Sequence, residues 1–199
     1  MGRRRFFWKK GLIIPSTPPS GCIAWYLFLE NNQGLDSSGR GLNANSMSSV
    51  SFSDPPQNMH LQGGCVSFNS ASSYIQIANS SLISFNQSSS FSVEFWFTIP
   101  NLSSYLGLLC KGYSTNWFTP YAEYLIQKRG DSINVIRCGL TSMATSEGGL
   151  QFNPKYNTWT HLVFTCNKGV CNIYINGVLS GSNTQTIQQG TGPLIIGNV

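Results

Sequence analysis

Alternating polar and apolar residues near the C-terminus predict a β-hairpin. Apolar side chains recur at every second position over residues 160–166, and the alternation resumes over residues 171–175. A four-residue loop between Cys166 and Cys171 would close the two strands in a register that places their apolar side chains on one face. The pairs that this register predicts are Phe164 with Ile173 and Leu162 with Ile175.

A second turn signal follows the hairpin. Asn176-Gly177 is the dipeptide that best tolerates positive φ at both central positions of a type I′ turn. Val178 then begins a third strand, so residues 157–182 are predicted to form an antiparallel meander with one apolar face.

Further strand-like motifs precede and follow this meander. Trp159 stands just before its first strand, and its second strand ends in the letters IYING. The other motifs are CIAWYLFLE at 22–30, DSSG at 36–39, CVSF at 65–68 with SYIQI at 73–77, FSVEFWF at 91–97 and PLIIGN at 193–198. In this order they resemble the laminin-G-like, concanavalin A-like family, where they would be an opening strand and its turn, a hairpin, a long central strand and a late strand.

The resemblance implies an all-β fold, a two-sheet antiparallel jelly-roll sandwich of the concanavalin A-like type, over residues 21–199. Shorter strands are expected at 107–111, 121–128 and 133–138, with loops at 31–64 and 139–156 and no long helix. Members of the family usually continue into a closing strand beside the first strand, whereas this sequence stops at Val199. We therefore expect an open sheet edge, left by truncation or completed by a strand from another chain.

Residues 1–20 form a basic, aromatic and proline-containing arm. The net charge of +5 belongs to this arm, because the seven basic residues beyond it balance seven carboxylates. Its apolar run of four residues before Pro15 is too short for a secretory signal. We expect the arm to anchor the domain in a larger assembly; contact with nucleic acid or an anionic membrane surface and a solvated tail are the alternatives. Its cations and aromatics are Arg3, Arg4, Arg5, Phe6, Phe7, Trp8, Lys9 and Lys10.

Two of the six cysteines are candidates for a disulfide. The hairpin register sets Cys166 opposite Cys171, and a non-hydrogen-bonded pair brings two Cα atoms to about 4.5 Å, within reach of a bridge. The alternative is that the cysteines are small buried hydrophobic residues in a reducing compartment.

The acidic residues do not form a pattern typical of catalysis. Glycoside hydrolysis needs two carboxylates, and Glu94 is the only acid on its predicted strand. His161 is predicted on the outer face of its strand, and neither a Gly-x-Ser-x-Gly motif nor a pair of Cys-x-x-Cys knuckles occurs. We therefore expect no enzymatic activity and no zinc site.

Calcium is the one cofactor that the resemblance brings into question. Many laminin-G-like domains bind Ca²⁺ through Asp residues in loops, and this sequence has Asn69 and Asn167 at two such places. An amide supplies a neutral oxygen in place of a carboxylate, which weakens binding of a hard cation. Asp36 remains as a ligand candidate, although its predicted role is to form the turn. No cofactor is expected.

A cluster of aromatic and amide side chains between two predicted strands is the candidate glycan-binding site. Sugars bind to exposed aromatic rings flanked by polar side chains, and the alternative is that Trp117 is buried in a loop core. The candidate residues are Tyr113, Asn116, Trp117 and Tyr121.

The sequence thus predicts a non-enzymatic structural or adhesion protein with a lectin-like domain. Its leading hypothesis is a virus-particle component, a minor capsid, decoration or attachment protein held by its N-terminal arm and its open sheet edge. The alternatives are a free, extracellular glycan-binding module and a degenerate glycoside hydrolase.

Overall fold

The computed structural model describes residues 18–54, 63–102, 104–112, 122–129, 136–140 and 149–197. Within these ranges the chain forms thirteen β-strands and a single-turn 3₁₀ helix, Ser81–Ile83, and no helix there is long and apolar enough to cross a membrane. The strands are β1 (Ala44–Ser48), β2 (Val50–Ser53), β3 (Cys65–Phe68), β4 (Tyr74–Ile77), β5 (Ser90–Phe97), β6 (Leu106–Lys111), β7 (Tyr124–Lys128), β8 (Ile136–Leu140), β9 (Leu150–Phe152), β10 (Thr160–Asn167), β11 (Val170–Ile175), β12 (Val178–Thr184) and β13 (Leu194–Gly197).

The strands build two facing antiparallel sheets and a small ribbon. One sheet has seven strands in the order β1-β4-β13-β6-β7-β8-β9, and the other has four in the order β12-β11-β10-β5. β2 and β3 form the ribbon. The predicted all-β jelly-roll sandwich is confirmed.

The predicted meander is present in the predicted register. Phe164 pairs with Ile173, and Leu162 pairs with Ile175. The connecting loop is shorter than expected, because Asn167 and Val170 also pair and leave a two-residue turn. Lys168 and Gly169 occupy that turn with φ of 50° and 88°, and Asn176 and Gly177 occupy the next with φ of 51° and 81°, as a type I′ turn requires.

The core lies between the two sheets. On β10 and β11 every second side chain points inward, as alternation predicts, and all of these except Ile175 are almost fully buried. Each such aliphatic or aromatic side chain contributes about 1.5–3 kcal/mol by leaving water. The central members of the core are Leu162, Phe164 and Ile173 from the four-stranded sheet and Ile75, Ile77, Ile126 and Ile136 from the seven-stranded sheet.

Three details of the predicted strand arrangement are wrong. Residues 22–30 do not form a strand; they make one isolated bridge, Tyr26 with Asp36, and pack against the core through their apolar side chains. β3 and β4 do not form a hairpin, since β3 pairs with β2 while β4 pairs with β1 and β13. β5 is an edge strand in the described part of the chain, where it pairs with β10 alone.

Three strands lie where loops were expected. β1 and β2 fall within residues 31–64, and β9 falls within residues 139–156. β1 and β2 have only five and four residues and give little strand signal of their own, so their pairing depends on β4 and β3, which lie later in the sequence. β13 and strands β6, β7 and β8 agree with the predicted segments within a few residues.

A buried ion pair ties several loops to the seven-stranded sheet. The Nζ of Lys111 lies 3.5 Å from Oε2 of Glu123, and both side chains are fully buried. Glu123 also accepts hydrogen bonds from the Ser84 hydroxyl and from the backbone N–H groups of Phe85 and Gly190. Lys111 donates a second bond to the carbonyl oxygen of Gly192. The carboxylate is thus the common acceptor for the end of β6 and for two loops.

Removing Glu123 is expected to destabilise the fold more than removing Lys111. Glu123→Ala leaves Lys111 as an unpaired buried cation and deprives two backbone N–H groups of their acceptor, so we expect a loss of about 3–5 kcal/mol in the free energy of unfolding. Lys111→Met leaves the buried Glu123 carboxylate without its cation, but the hydroxyl of Ser84 and two backbone N–H groups still donate to it, so the loss should be smaller. Chemical denaturation measures both, and a greater loss in Lys111→Met would contradict this account.

Candidate functional site

The outer face of the four-stranded sheet carries the side chains that alternate with the core. At the end where β5 finishes and β10 begins, an exposed indole, an imidazole and a carboxylate lie side by side. We call Trp96, His161 and Glu94 the sheet-face cluster. Trp96 and His161 are directly opposite each other in the β5–β10 ladder, and Glu94 lies two residues before Trp96 on the same face.

The three side chains hold one another in place. The rings of Trp96 and His161 are stacked with centroids 4.9 Å apart and planes 28° apart. The Nε2 atom of His161 lies 2.8 Å from Oε1 of Glu94. The backbone N–H of His161 donates to Oδ1 of Asn176, which fixes this end of β10 against the next turn. The cluster therefore sits on paired strands, where its geometry is well defined.

The cluster remains open to solvent. Trp96 is 43% exposed, and the side chain of Glu94 is 66% exposed while that of His161 is 19% exposed. His161 lies on the neighbouring strand and covers one face of the indole. No hydrogen bond within the described part of the chain uses the indole N–H of Trp96 or Oε2 of Glu94.

The exposed face continues across the sheet. Glu94 pairs with Val163, Val163 with Tyr174, and Tyr174 with Leu179, which is 55% exposed. Four strands at about 4.8 Å spacing give this row a width of about 14 Å. The sheet-face cluster thus opens onto a broader surface of mixed apolar and polar character.

This arrangement has the chemistry of a binding site. The indole offers a flat apolar surface and an N–H donor, and Glu94 offers a hydrogen-bond acceptor beside it. Within the described residues no group of three His, Cys, Asp or Glu side chains could hold a metal ion. A stacked cross-strand pair also stabilises the sheet by about 0.2–1 kcal/mol, so stability and binding must be measured separately.

The sequence-based site residues have different outcomes. The glycan-binding candidates Tyr113, Asn116, Trp117 and Tyr121 lie outside the described residues, as does the arm from Arg3 to Lys10. His161 lies on the outer face of β10, as predicted.

Cys166 and Cys171 face each other across the hairpin as predicted, and both are thiols in the structure. They point into the core, and burial, together with the neighbouring Cys166, raises the pKa of the Cys171 thiol to about 12. A thiol with such a pKa is a poor nucleophile at neutral pH. The disulfide between them stays a prediction.

Asp36 forms the predicted turn. Its carboxylate accepts bonds from the backbone N–H groups of Trp25, Ser38 and Leu42 and from the Ser38 hydroxyl. Burial by itself raises the pKa of Asp36, and these hydrogen bonds outweigh it and hold the pKa below its ordinary value. Because the carboxylate is engaged in this way, little of it is left to bind calcium.

The Asn residues at the other two calcium positions also have partners. Asn167 accepts a bond from the Ser90 hydroxyl, and Asn69 donates to the Ser51 hydroxyl. They act as links between neighbouring strands.

Sequence reasoning missed the sheet-face cluster. The motif FSVEFWF predicts a long central strand, and that prediction by itself does not identify Trp96 as a surface residue. The alternation itself held the signal, since Phe95 and Phe97 on one face require Glu94 and Trp96 on the other.

Comparison with known proteins identifies the superfamily to which this fold belongs. A family model of the concanavalin A-like lectin/glucanases superfamily, Laminin_G_3, matches residues 69–199. The structure is similar to domain 4 of AbnA, an extracellular arabinanase from Geobacillus stearothermophilus in complex with arabinotriose, with a TM-score of 0.58, 18% identity and coverage of 85% of this chain and 80% of that chain.

A second similar structure is a much longer protein. The sialidase of Trypanosoma rangeli, in complex with a difluoro-KDN compound, matches with a TM-score of 0.57, 16% identity and coverage of 94% of this chain but only 30% of that chain. At these identities, the likeness concerns the fold alone. The amino-acid sequence matches no curated protein.

The stability that Asp36 provides is expected to disappear in acid. Its pKa is depressed in the folded state, so its contribution is fully present above the ordinary value of about 3.9 and declines as the pH falls through the folded-state pKa. Asp36→Asn should lower the free energy of unfolding by about 1–3 kcal/mol at neutral pH. Denaturation over a pH series should show this difference narrowing on acidification.

Asp54→Asn is the matched control, because the Asp54 carboxylate is exposed after β2 and accepts no hydrogen bond within the described residues. If the difference in unfolding free energy between Asp36→Asn and the wild type stays the same in acid, the carboxylate charge is not what stabilises the turn.

Proposed function

We propose that this chain, which belongs to the concanavalin A-like lectin/glucanase superfamily, is a non-catalytic carbohydrate-binding module. The observation that supports this proposal is the sheet-face cluster, where an exposed indole is stacked on an imidazole beside an accessible carboxylate. The apolar C–H face of a sugar ring packs on such an indole while its hydroxyl groups bond to polar neighbours. The arabinotriose in the similar arabinanase domain is consistent with a sugar-binding role for this fold.

Binding is favoured over hydrolysis by the isolation of Glu94. Its hydrogen-bonding partner is His161, and no second carboxylate lies on the four strands of this sheet. Both retaining and inverting hydrolysis use two carboxylates on either side of the scissile bond. A degenerate hydrolase therefore remains only the alternative, and the release of reducing sugar by the wild-type chain would support it.

We propose further that the module works within a larger assembly, as a minor capsid, decoration or attachment protein of a virus particle. The arm supports this proposal by its composition, since it combines five cations with three adjacent aromatic residues ahead of a domain whose charges balance. Aromatic side chains next to cations are typical anchors at protein interfaces.

Trp96→Ala is expected to abolish most of the carbohydrate binding. Binding of the full chain to an array of neutral oligosaccharides that includes arabinotriose should fall by at least about tenfold, as expected for a central Trp contact. The variant should lose less than about 1 kcal/mol in unfolding free energy, because only a cross-strand stack is removed.

Phe68→Ala provides the control for this test. Phe68 is also a partly exposed aromatic residue, but its ring lies against Gly197 on the seven-stranded sheet, away from the sheet-face cluster. The Phe68→Ala variant should therefore bind sugar as tightly as the wild-type chain. Unchanged sugar binding by Trp96→Ala would refute the site. So would the absence of sugar binding in the wild-type chain.

Deleting residues 1–15 is expected to leave sugar binding intact and to release the chain from its native assembly. Incorporation is measured by sedimenting the native particle and comparing how much of the wild-type chain and of the shortened chain sediments with it. Arm residues that contact no neighbour in the native assembly would contradict the anchoring role.

A further inference from the structure

We propose that the sheet-face cluster is selective for charge, binding neutral and amino sugars and rejecting sugars that carry carboxylate or sulfate groups. This inference rests on the proposed function, since it names the class of ligand for that same site. It follows from the charges of the sheet, from the direction of one hydrogen bond and from the atoms left open to a ligand.

The strands of the four-stranded sheet carry one carboxylate, that of Glu94, and no Lys or Arg. Lys168 lies at the far end of β10, about 24 Å from His161 at roughly 3.4 Å per residue. Lys155 lies in an exposed loop before β10 and forms no ion pair with Glu94 among the described residues. No basic side chain of this sheet is thus available to bind an anionic ligand.

The hydrogen bond within the cluster has one possible direction. An ionised carboxylate only accepts, so the Nε2 atom of His161 donates to Glu94 and carries the proton. In the neutral imidazole Nδ1 is then an acceptor. The proton on Nε2 is engaged in the hydrogen bond to Glu94 and does not point to a ligand.

The atoms that remain for a ligand are mainly acceptors. Oε2 of Glu94 and the unshared electron pairs of Oε1 accept, and with a neutral His161 the indole N–H of Trp96 is the one donor of the cluster that is left for a ligand. A sugar hydroxyl or a protonated amino group donates to the carboxylate, and an ammonium group also interacts favourably with the indole face. A sugar carboxylate or sulfate would meet an acceptor of its own sign.

The size of this effect is enough for real selectivity. A second anion within about 4 Å of Glu94 is repelled by an energy that corresponds to about a fivefold loss of affinity in water and to a greater loss near a protein surface. Glu94 is 66% exposed, so solvent and salt weaken the repulsion, and the discrimination should shrink as ionic strength rises.

The test is an array of matched glycans in which each neutral or amino sugar is printed beside its sialylated, uronate or sulfated counterpart. The full chain should bind the neutral and amino members and bind each acidic counterpart at least about fivefold more weakly. Glu94→Gln keeps the shape of the side chain and an oxygen that accepts from His161, so it should bind the acidic members more strongly than the wild type. Trp96→Ala should lose binding to both the neutral or amino glycans and the acidic glycans.

The outcomes separate this inference from the proposed function. Equal binding of acidic and neutral glycans that is lost in Trp96→Ala would overturn the selectivity and leave the binding function standing. Selectivity that is unchanged in Glu94→Gln would also overturn it, because the carboxylate would not be its cause. Binding to no glycan at all, or binding unaffected by Trp96→Ala, would overturn the proposed site and this inference with it.

Discussion

The pairing register of β5, β10 and β11 is the constraint on which the rest of the structure depends. Because side chains alternate across a strand, the register that buries Leu162 and Phe164 must turn His161 outward. The same pairing sets Trp96 opposite His161. A slip of one residue would move His161 into the core and leave Leu162 in water. The core and the sheet-face cluster are thus two faces of a single arrangement.

A second constraint acts at the seven-stranded sheet. The carboxylate of Glu123 is fully buried and gathers Lys111, the loop before β5 and the loop before β13 around itself. A buried ion pair adds little net stability compared with apolar residues, but breaking it is costly, so it favours one loop arrangement over its competitors. The apolar core holds the sheets together, while this pair determines where the loops between them run.

The parts of the fold that could be predicted from sequence are those with local signals. The β10–β11–β12 meander has alternation and two turns with residues suited to positive φ, and the predicted β10–β11 register was confirmed to the residue. β1, β2 and β9 were missed because they are only three to five residues long, too short for a strand pattern to stand out. β3 and β4 are adjacent in sequence but lie in different sheets, and no local pattern encodes that separation.

The sequence by itself determined which side chains share a face, since period-two alternation is a property of the chain and needs no partner. Only the tertiary structure decided which face of β5 is covered and which is open, because burial depends on what packs opposite. The inner face of β5 meets the seven-stranded sheet, and the outer face meets solvent, where Trp96, His161 and Glu94 come together from two strands separated by more than sixty residues.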